Sequence, residues 1–263
     1  KQLQYFIPLV RDISRVTWNT IRDFPTPFGS MFVHDCLEKG RLRYLLSKGY
    51  PRPGALTFVG NHYQLPKESR EILNRGVYPD KEAQARKQRL ADPEKIMGRP
   101  LGLDGHNVLI TLESAILGRP LVACDDGLIR DTAKVSSSFR PGPTTGQALD
   151  LVMDYIIRQG VKSVLFFFDA PLSMSGELAA QASALLADRE LMGRARAVPV
   201  PEVELYSFTG LVATSDSVLI DRVAEPLDLA GHIIRETMPE IRPLTLDLNL
   251  DKCPAEMGNP LAP

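Results

Sequence analysis

The stretch V-L-F-F-F at residues 164–168 decides the fold, because it places five apolar residues in succession. A strand with one buried face alternates apolar and polar side chains, whereas a strand covered on both faces is apolar throughout. We therefore predict that residues 163–168 form a strand in a sheet with helices packed on both sides. Sheets of this kind occur in α/β proteins with parallel strands.

Outward from this strand, short apolar runs alternate with amphipathic stretches of helical length. Such alternation predicts a parallel α/β sheet. We assign residues 98–239 to one α/β domain and residues 240–263, rich in Pro, Asn and Asp, to a loosely ordered tail. The predicted strands are 100–103, 121–124, 163–168, 195–200 and 210–213, and the predicted helices are 108–117, 145–159, 176–192 and 217–223.

Acidic residues follow four of these predicted strands. In a parallel sheet the carboxyl ends of all strands lie at one edge, so we expect the acidic side chains to converge there. Two carboxylates about 4 Å apart repel by roughly 1 kcal/mol in water and about 4 kcal/mol at an effective dielectric of 20. Several carboxylates together are tolerated only if some are protonated or a cation lies among them, and oxygen ligands of this type favour Mg²⁺ or Mn²⁺. The residues are Asp104, Asp125 and Asp126, Asp169, and Asp216 with Asp221 five positions later.

A second explanation exists for individual members of this set. An aspartate that follows a strand can also cap the next helix, and Asp126 and Asp216 are candidates for that role. For a single aspartate the two explanations are about equally good. Four such positions at successive strand ends favour a shared site.

The preceding residues, 36–97, predict a smaller all-helical domain, with a helical extension at 1–35 in front of it. Helices are predicted over 1–23, 31–47, 55–59 and 66–74, with a break at Gly60-Asn61. Residues 80–97 are charged and helix-prone, which predicts an exposed helix or linker. Proline residues in F-P-T-P-F at 24–28 separate the first two helices.

This helical part is basic. Residues 1–103 contain 18 Lys and Arg against 10 Asp and Glu, whereas residues 104–263 contain 13 against 22. Basic side chains neutralise phosphates and aromatic rings stack on bases, which together predict nucleic-acid binding. A solvated basic face with tyrosines packed inside is an equally good interpretation. The basic residues are Arg41, Arg43, Lys48, Arg52, Arg70 and Arg75, interleaved with Tyr44, Tyr50, His62 and Tyr63.

Composition excludes several classes of protein. No apolar run approaches the roughly 18 to 20 residues that span a bilayer, so no membrane segment is predicted. Cys36, Cys124 and Cys253 are odd in number and widely spaced, which fits a reducing cytoplasm rather than a disulfide framework or a zinc site. Phosphate-loop, dinucleotide and serine-hydrolase motifs are absent. The histidines lack metal-ligand spacing and are predicted to be surface or core residues: His34, His62, His106 and His232.

Three short motifs resemble the strand-end motifs of the PIN and NYN nuclease superfamily: D-G-H-N-V at 104–108, F-F-D-A at 167–170 and T-S-D at 214–216. From Leu37 to about Arg235 the sequence also resembles an uncharacterised prokaryotic family in which a short helical domain precedes a PIN-like domain. The resemblance implies a three-layer, Rossmann-like α/β domain. It also implies that Asp104, Asp169 and Asp216 bind a divalent metal and are catalytic, with Asn107 beside the first.

Together these features predict a Mg²⁺- or Mn²⁺-dependent nuclease that hydrolyses phosphodiester bonds, in RNA rather than DNA. Asp125, Asp126 and Asp221 would assist, although they match no motif of the superfamily. Two alternatives remain open: a nucleic-acid-binding protein with a PIN-like fold and no hydrolysis, and a small-molecule phosphate hydrolase. Homo-oligomer formation also stays open.

Overall fold

The computed structural model describes residues 31–132 and 139–246. Its N-terminal part consists of helices, as predicted, and the helix predicted for 31–47 has the predicted ends. The helix predicted for 1–23 lies outside the described residues, as do residues 247–263 of the predicted tail. The helices are α1 (Met31–Ser47), α2 (Arg52–His62), α3 (Lys67–Gly76) and α4 (Asp80–Arg89).

Helix α2 is longer than the sequence predicts. The predicted break at Gly60-Asn61 is wrong, because the helix continues to His62. Gly60 allows close packing here instead of ending the helix: a β-carbon at this position would lie 2.5 Å from Nη1 of Arg70. Glycine therefore leaves room for the Arg70 guanidinium of the neighbouring helix α3, which the sequence pattern alone does not reveal.

Helix α4 covers the segment predicted to be an exposed helix or linker. It is a helix, but it is not fully exposed, since Ala83 and Arg86 are buried. An arginine is seldom buried unless its charge is paired. The partners of Arg86 are acidic residues far along the chain, described below.

From residue 100 onward, strands alternate with helices, as predicted. Each predicted strand and helix of this part is present, with its ends shifted by four residues or fewer. The strands are β1 (Pro100–Asp104), β2 (Leu121–Ala123), β3 (Ile129–Asp131), β4 (Ser163–Asp169), β5 (Gly193–Val198), β6 (Leu211–Ala213), β7 (Pro226–Leu227) and β8 (Leu244–Thr245). The helices are α5 (Gly105–Ile116), α6 (Pro143–Arg158), α7 (Ser175–Asp188), α8 (Pro201–Tyr206), α9 (Ser217–Arg222) and α10 (Leu229–Thr237).

The central sheet has five strands in the order β5-β4-β1-β6-β7. Every neighbouring pair is parallel, which confirms the predicted α/β class. Strand β1 lies in the middle, and its Leu103 pairs with Phe166 of β4 on one side and with Ala213 of β6 on the other. The carboxyl ends of β4, β1 and β6 are therefore neighbours.

Both faces of this sheet are covered, as the V-L-F-F-F stretch predicts. Phe166 and Phe168 lie in the main core, which includes residues of α5, α6, α7 and α10. Phe167 points to the opposite face and packs with Leu205 of α8 and Leu219 of α9. Alternate side chains of one strand thus enter two separate apolar clusters.

Strand β2 does not belong to the central sheet, so the prediction that its acidic end meets the other strand ends is wrong. It pairs antiparallel with β3 and parallel with β8 in a separate three-stranded sheet. The β2–β3 turn contains Gly127 at φ 91°, a left-handed conformation that favours glycine. This turn reverses the chain direction, so that β3 pairs with β2 in the smaller sheet.

The helices α1–α4 pack against this smaller sheet. Their buried residues, such as Leu42 and Leu73, share one cluster with Val122, Cys124 and Leu246. The predicted tail therefore begins with an ordered strand, β8, whose neighbour Leu246 completes the core of the helical part. Among the described residues, no helix combines the length and the apolar character that crossing a membrane requires.

Candidate functional site

Three of the predicted site aspartates end neighbouring strands of the central sheet. Asp104 is the last residue of the middle strand, β1, and pairs with Phe167 of β4. Asp169 is the last residue of β4, and Asp216 follows β6 by three positions. Because all three strands are parallel, the structure brings these carboxylates to one edge.

Asp104 is the most enclosed of the three, with 3% of its surface exposed. Its Oδ2 accepts hydrogen bonds from the side-chain amide of Asn107 and, at 2.9 Å, from the Thr214 hydroxyl. Burial raises the pKa of Asp104 to about 7; the two hydrogen bonds lower it, and the charges of Asp169 and Asp216 raise it further. Among the described residues, no basic side chain pairs with it.

Asp169 contacts a histidine that the sequence pattern assigned to no site. His106 Nδ1 lies 3.0 Å from Asp169 Oδ2 and also 3.0 Å from the Asp169 backbone nitrogen. The imidazole is 2% exposed, and its Nε2 has no hydrogen-bond partner. The rings of Phe139 and Phe168 stand edge-on to it, each with centroids 5.3 Å away. The one signal in the sequence was its position, two residues after Asp104 at the start of α5.

Asp216 caps helix α9: its Oδ1 accepts a hydrogen bond from the backbone N–H of Leu219 at 2.8 Å. The capping explanation is therefore correct for this residue. Its own backbone N–H donates to Thr214 Oγ1 at 3.0 Å, and the same hydroxyl donates to Asp104. Thr214 thus links two of the three aspartates, a role that the sequence did not indicate.

Each of the three carboxylates has one oxygen bound by the protein and one that accepts no hydrogen bond from the described residues. The bound oxygens are Oδ2 of Asp104, Oδ2 of Asp169 and Oδ1 of Asp216. Within residues 31–132 and 139–246, no group of three or more His, Cys, Asp or Glu side chains is arranged to hold a metal ion. A metal at this edge would therefore bind one or two carboxylates and complete its shell with water, as Mg²⁺ commonly does.

Asp125 lies outside this edge. It binds the Lys39 ammonium at 2.8 Å and both Nε and Nη2 of Arg43, the latter at 2.6 Å. It also accepts a hydrogen bond from the backbone N–H of Tyr78. The predicted supporting role at the strand ends fails geometrically, because Asp125 follows β2 and joins the hairpin to α1.

Asp126 and Asp221 are also held by arginines away from the three strand ends. Asp126 is fully buried and accepts hydrogen bonds from Nη1 and Nη2 of Arg130 at 2.7 and 2.8 Å. Arg86 donates to Asp126 at 3.2 Å and, through two nitrogens at 2.7 Å each, to Asp221. The predicted cap at Asp126 is replaced by this ion-pair network. Such paired charges satisfy each other and need no metal ion.

One side chain of that network reaches the site. Arg130 donates from Nε to the backbone carbonyl of Ser215 at 2.7 Å, between Thr214 and Asp216. Its guanidinium also lies over the ring of Tyr78, as do those of Arg52 and Arg86. The helical part and the T-S-D loop are thus connected through buried cations.

Four of the six basic residues predicted to bind nucleic acid have partners within the fold. Arg43 pairs with Asp125, and Arg75 lies 3.6 Å from Glu71 in the same helix. Arg52 donates to two backbone carbonyls of the α3 end, and burial lowers the pKa of its guanidinium. Arg70 donates to the Leu65 carbonyl and to Asn61 Oδ1. Arg41 and Lys48 remain, and their described contacts are with aromatic rings and an imidazole.

Comparison with known proteins gives the chain a family. A family model described as "Domain of unknown function (DUF5616)" matches residues 93–232, more than half of the 263 residues. The chain belongs to this family. Its DUF5616 segment contains the whole central sheet and the aspartates 104, 169 and 216. A second model, "Protein of unknown function (DUF434)", matches residues 40–89, which contain the six predicted nucleic-acid-binding residues.

A relative matches three quarters of this DUF5616 protein. "Uncharacterized protein MJ0935" of Methanocaldococcus jannaschii is 34% identical over 202 residues, which cover 75% of this chain and 96% of that protein. No solved structure matches the chain. The expected family arrangement, a helical segment followed by an α/β segment, is therefore supported by both family models.

Proposed function

We propose that this DUF5616 protein has a PIN-like fold and is a divalent-metal-dependent nuclease that acts on RNA. The observation that carries the proposal is the position of Asp104, a buried carboxylate between the ends of β4 and β6. Asp169 and Asp216 lie on either side of it. Asp104 and Asp216 have no basic partner among the described residues, and the basic side chain that contacts Asp169 is His106. A nearby cation would relieve the repulsion among the three carboxylates.

The donor chemistry supports Mg²⁺ or Mn²⁺ as this cation. Both ions prefer carboxylate and water oxygens. Asp104 Oδ1 would be the central ligand, because Asn107 and Thr214 hold the other oxygen of that carboxylate. Asp169 and Asp216 would bind the ion directly or through water. When bound, such an ion lowers the pKa of a coordinated water and neutralises charge on a phosphoryl group.

The chain's own residues would orient the reacting groups. With its proton on Nδ1, His106 would donate to the carboxylate of Asp169 and fix it, and Thr214 fixes Asp104 relative to the backbone of Asp216. Such supporting contacts keep ligands in a productive geometry. Without them the carboxylates would rotate apart, because like charges repel.

A cation for the substrate lies beside the same edge. Arg140 follows Phe139, whose ring contacts His106, and donates to Ser173 Oγ at 3.1 Å in the loop after Asp169. Arg140 is exposed and has no carboxylate partner among the described residues. Its guanidinium is therefore a candidate for binding the phosphate next to the bond that is cleaved.

The proposal is tested with fluorescently labelled single-stranded RNA, incubated with Mg²⁺, with Mn²⁺ or with EDTA. Wild-type protein is expected to cleave only with a metal ion, and Asp104→Asn is expected to fall to the level of the EDTA control. Asp188→Asn, at the exposed end of α7, is the matched control and should cleave like wild type. Equal cleavage by Asp104→Asn and wild type would rule out the site. Hydrolysis of mononucleotides but not of RNA would instead support a small-molecule hydrolase.

A further inference from the structure

Exposed aromatic rings are concentrated in one short part of the described chain. Tyr44, Tyr50 and Phe58 are exposed by 61%, 58% and 63% of their surface. The other large hydrophobic residues with high exposure, from Met97 to Val218, are all aliphatic. Large exposed aromatic side chains on a folded domain commonly mark a surface that binds a partner.

One of these rings, Tyr44, has a cation beside it. Arg41, Tyr44 and Lys48 are spaced by three and four residues, which places them on one face of α1 and just beyond its end. The Lys48 ammonium lies 5.5 Å from the centroid of the Tyr44 ring. The ring and the two charges therefore form one continuous stripe.

The stripe continues onto the end of α2. Arg41 lies 5.4 Å from the centroid of the Tyr63 ring and 3.5 Å from His62 Nε2. The His62 ring is nearly parallel to that of Phe58, at 10°, with centroids 6.3 Å apart. We name this surface the aromatic face: Arg41, Tyr44, Lys48, Phe58, His62 and Tyr63.

We propose that the aromatic face binds single-stranded nucleic acid and holds the strand that would be cleaved at Asp104, Asp169 and Asp216. The identity of this substrate rests on the proposed function. Arg41 and Lys48 supply positive charge for phosphates. Tyr44 and Phe58 supply exposed rings on which bases stack.

Charge and ring exposure together favour a single strand over other occupants. A single strand offers phosphates to the cations and unstacked bases to the exposed rings, whereas a duplex keeps its base faces stacked inside. Glu38, whose charge influences Tyr63, is 1% exposed, so it presents little surface to a ligand. The other four basic residues of the prediction already have partners within the fold: Arg43, Arg52, Arg70 and Arg75.

The test is fluorescence anisotropy with a labelled oligouridine and with a labelled RNA duplex, in EDTA so that no cleavage occurs. Wild-type protein is expected to bind the single strand more tightly than the duplex, and less tightly as salt rises. Tyr44→Ala and Phe58→Ala should each weaken binding about tenfold. Tyr44→Phe, which keeps the ring, should stay close to wild type. Val203→Ala, which removes an exposed apolar side chain elsewhere, is the matched control.

Some outcomes overturn the inference. Unchanged binding by both Tyr44→Ala and Phe58→Ala would do so, as would equal affinity for duplex and single strand. A change from dimer to monomer in sedimentation of Tyr44→Ala would identify a second copy of the chain as the occupant. Binding by wild type without any metal-dependent cleavage would reject the nuclease and leave the aromatic face supported.

Discussion

The Nε of Arg130 donates a hydrogen bond to the backbone carbonyl of Ser215 at a distance of 2.7 Å. Arg130 is in strand β3 of the small sheet, whereas Ser215 lies in the loop that carries Asp216 at the edge of the central sheet. The position of that aspartate therefore depends on an arginine whose other partner, Asp126, is also buried.

Arg130→Met is expected to lower the free energy of unfolding by about 3–5 kcal/mol, because Asp126 loses its main buried partner. Urea denaturation measures this change. Adding Asp126→Leu to the same chain removes the unpaired charge and should restore much of the loss. If Arg130→Met alone is as stable as wild type, Arg130 is not the partner that stabilises buried Asp126.

Asp104→Asn is expected to raise stability at alkaline pH. The folded-state pKa of about 7 lies above the ordinary value of 3.8, so the unfolded chain releases its proton first as pH rises. The loss of stability that ionised Asp104 causes in the wild-type protein is absent below pH 3.8 and grows between the two pKa values. Above pH 7 it is complete, on the order of 4 kcal/mol. Urea midpoints for variant and wild type should diverge between about pH 4 and pH 8. Parallel curves would show that the carboxyl titrates normally.

His232→Gln is expected to reduce the loss of stability in acid. Burial, and then the charge of Arg235, lower the pKa of His232 to about 4 from an ordinary value of 6.5. Between pH 6.5 and 4, His232 is protonated in the unfolded chain but neutral in the folded chain. Wild-type stability therefore falls as the pH drops through this range. Thermal unfolding across this window should show a shallower slope for the variant. An unchanged slope would place the acid sensitivity elsewhere.

Gly105→Ala is expected to destabilise the protein by about 1–3 kcal/mol. A β-carbon at Gly105 would lie 2.3 Å from Cε1 of Phe168, a ring buried in the core and in contact with His106. Gly176→Ala is the control, because nothing lies within 4 Å of its β-carbon, and it should be neutral or slightly stabilising. Equal stability of the two variants in urea would contradict the packing described around His106.

The sequence was sufficient to predict the central sheet, because apolar strands with intervening helices have few alternative folds. It was also sufficient to predict that Asp104, Asp169 and Asp216 lie at the same edge of the sheet, because each comes at or after the end of a strand and all three strands are parallel. No residue pattern revealed that β2 leaves this sheet. That outcome depends on the turn at Gly127 and on pairing with β8, more than a hundred positions later.

The partners of charged residues were not predictable for a related reason. Arg43 and Asp125 are 82 positions apart, and Arg86 and Asp221 are 135 apart. The sequence around a basic residue next to tyrosines is the same whether its charge faces solvent or a carboxylate far along the chain. His106 was missed because a lone histidine has no spacing to interpret.

Strand β8 determines which fragments of this protein can fold alone. The chain returns after the α/β part to place Leu244–Thr245 beside β2 and Leu246 among the side chains of α1 and α3. A fragment ending near residue 90 would leave Leu42 and Leu73 facing water, and we expect it to aggregate. The two segments matched by separate family models therefore share one hydrophobic cluster, and we expect the helical segment to be unstable when it is transferred alone into another protein.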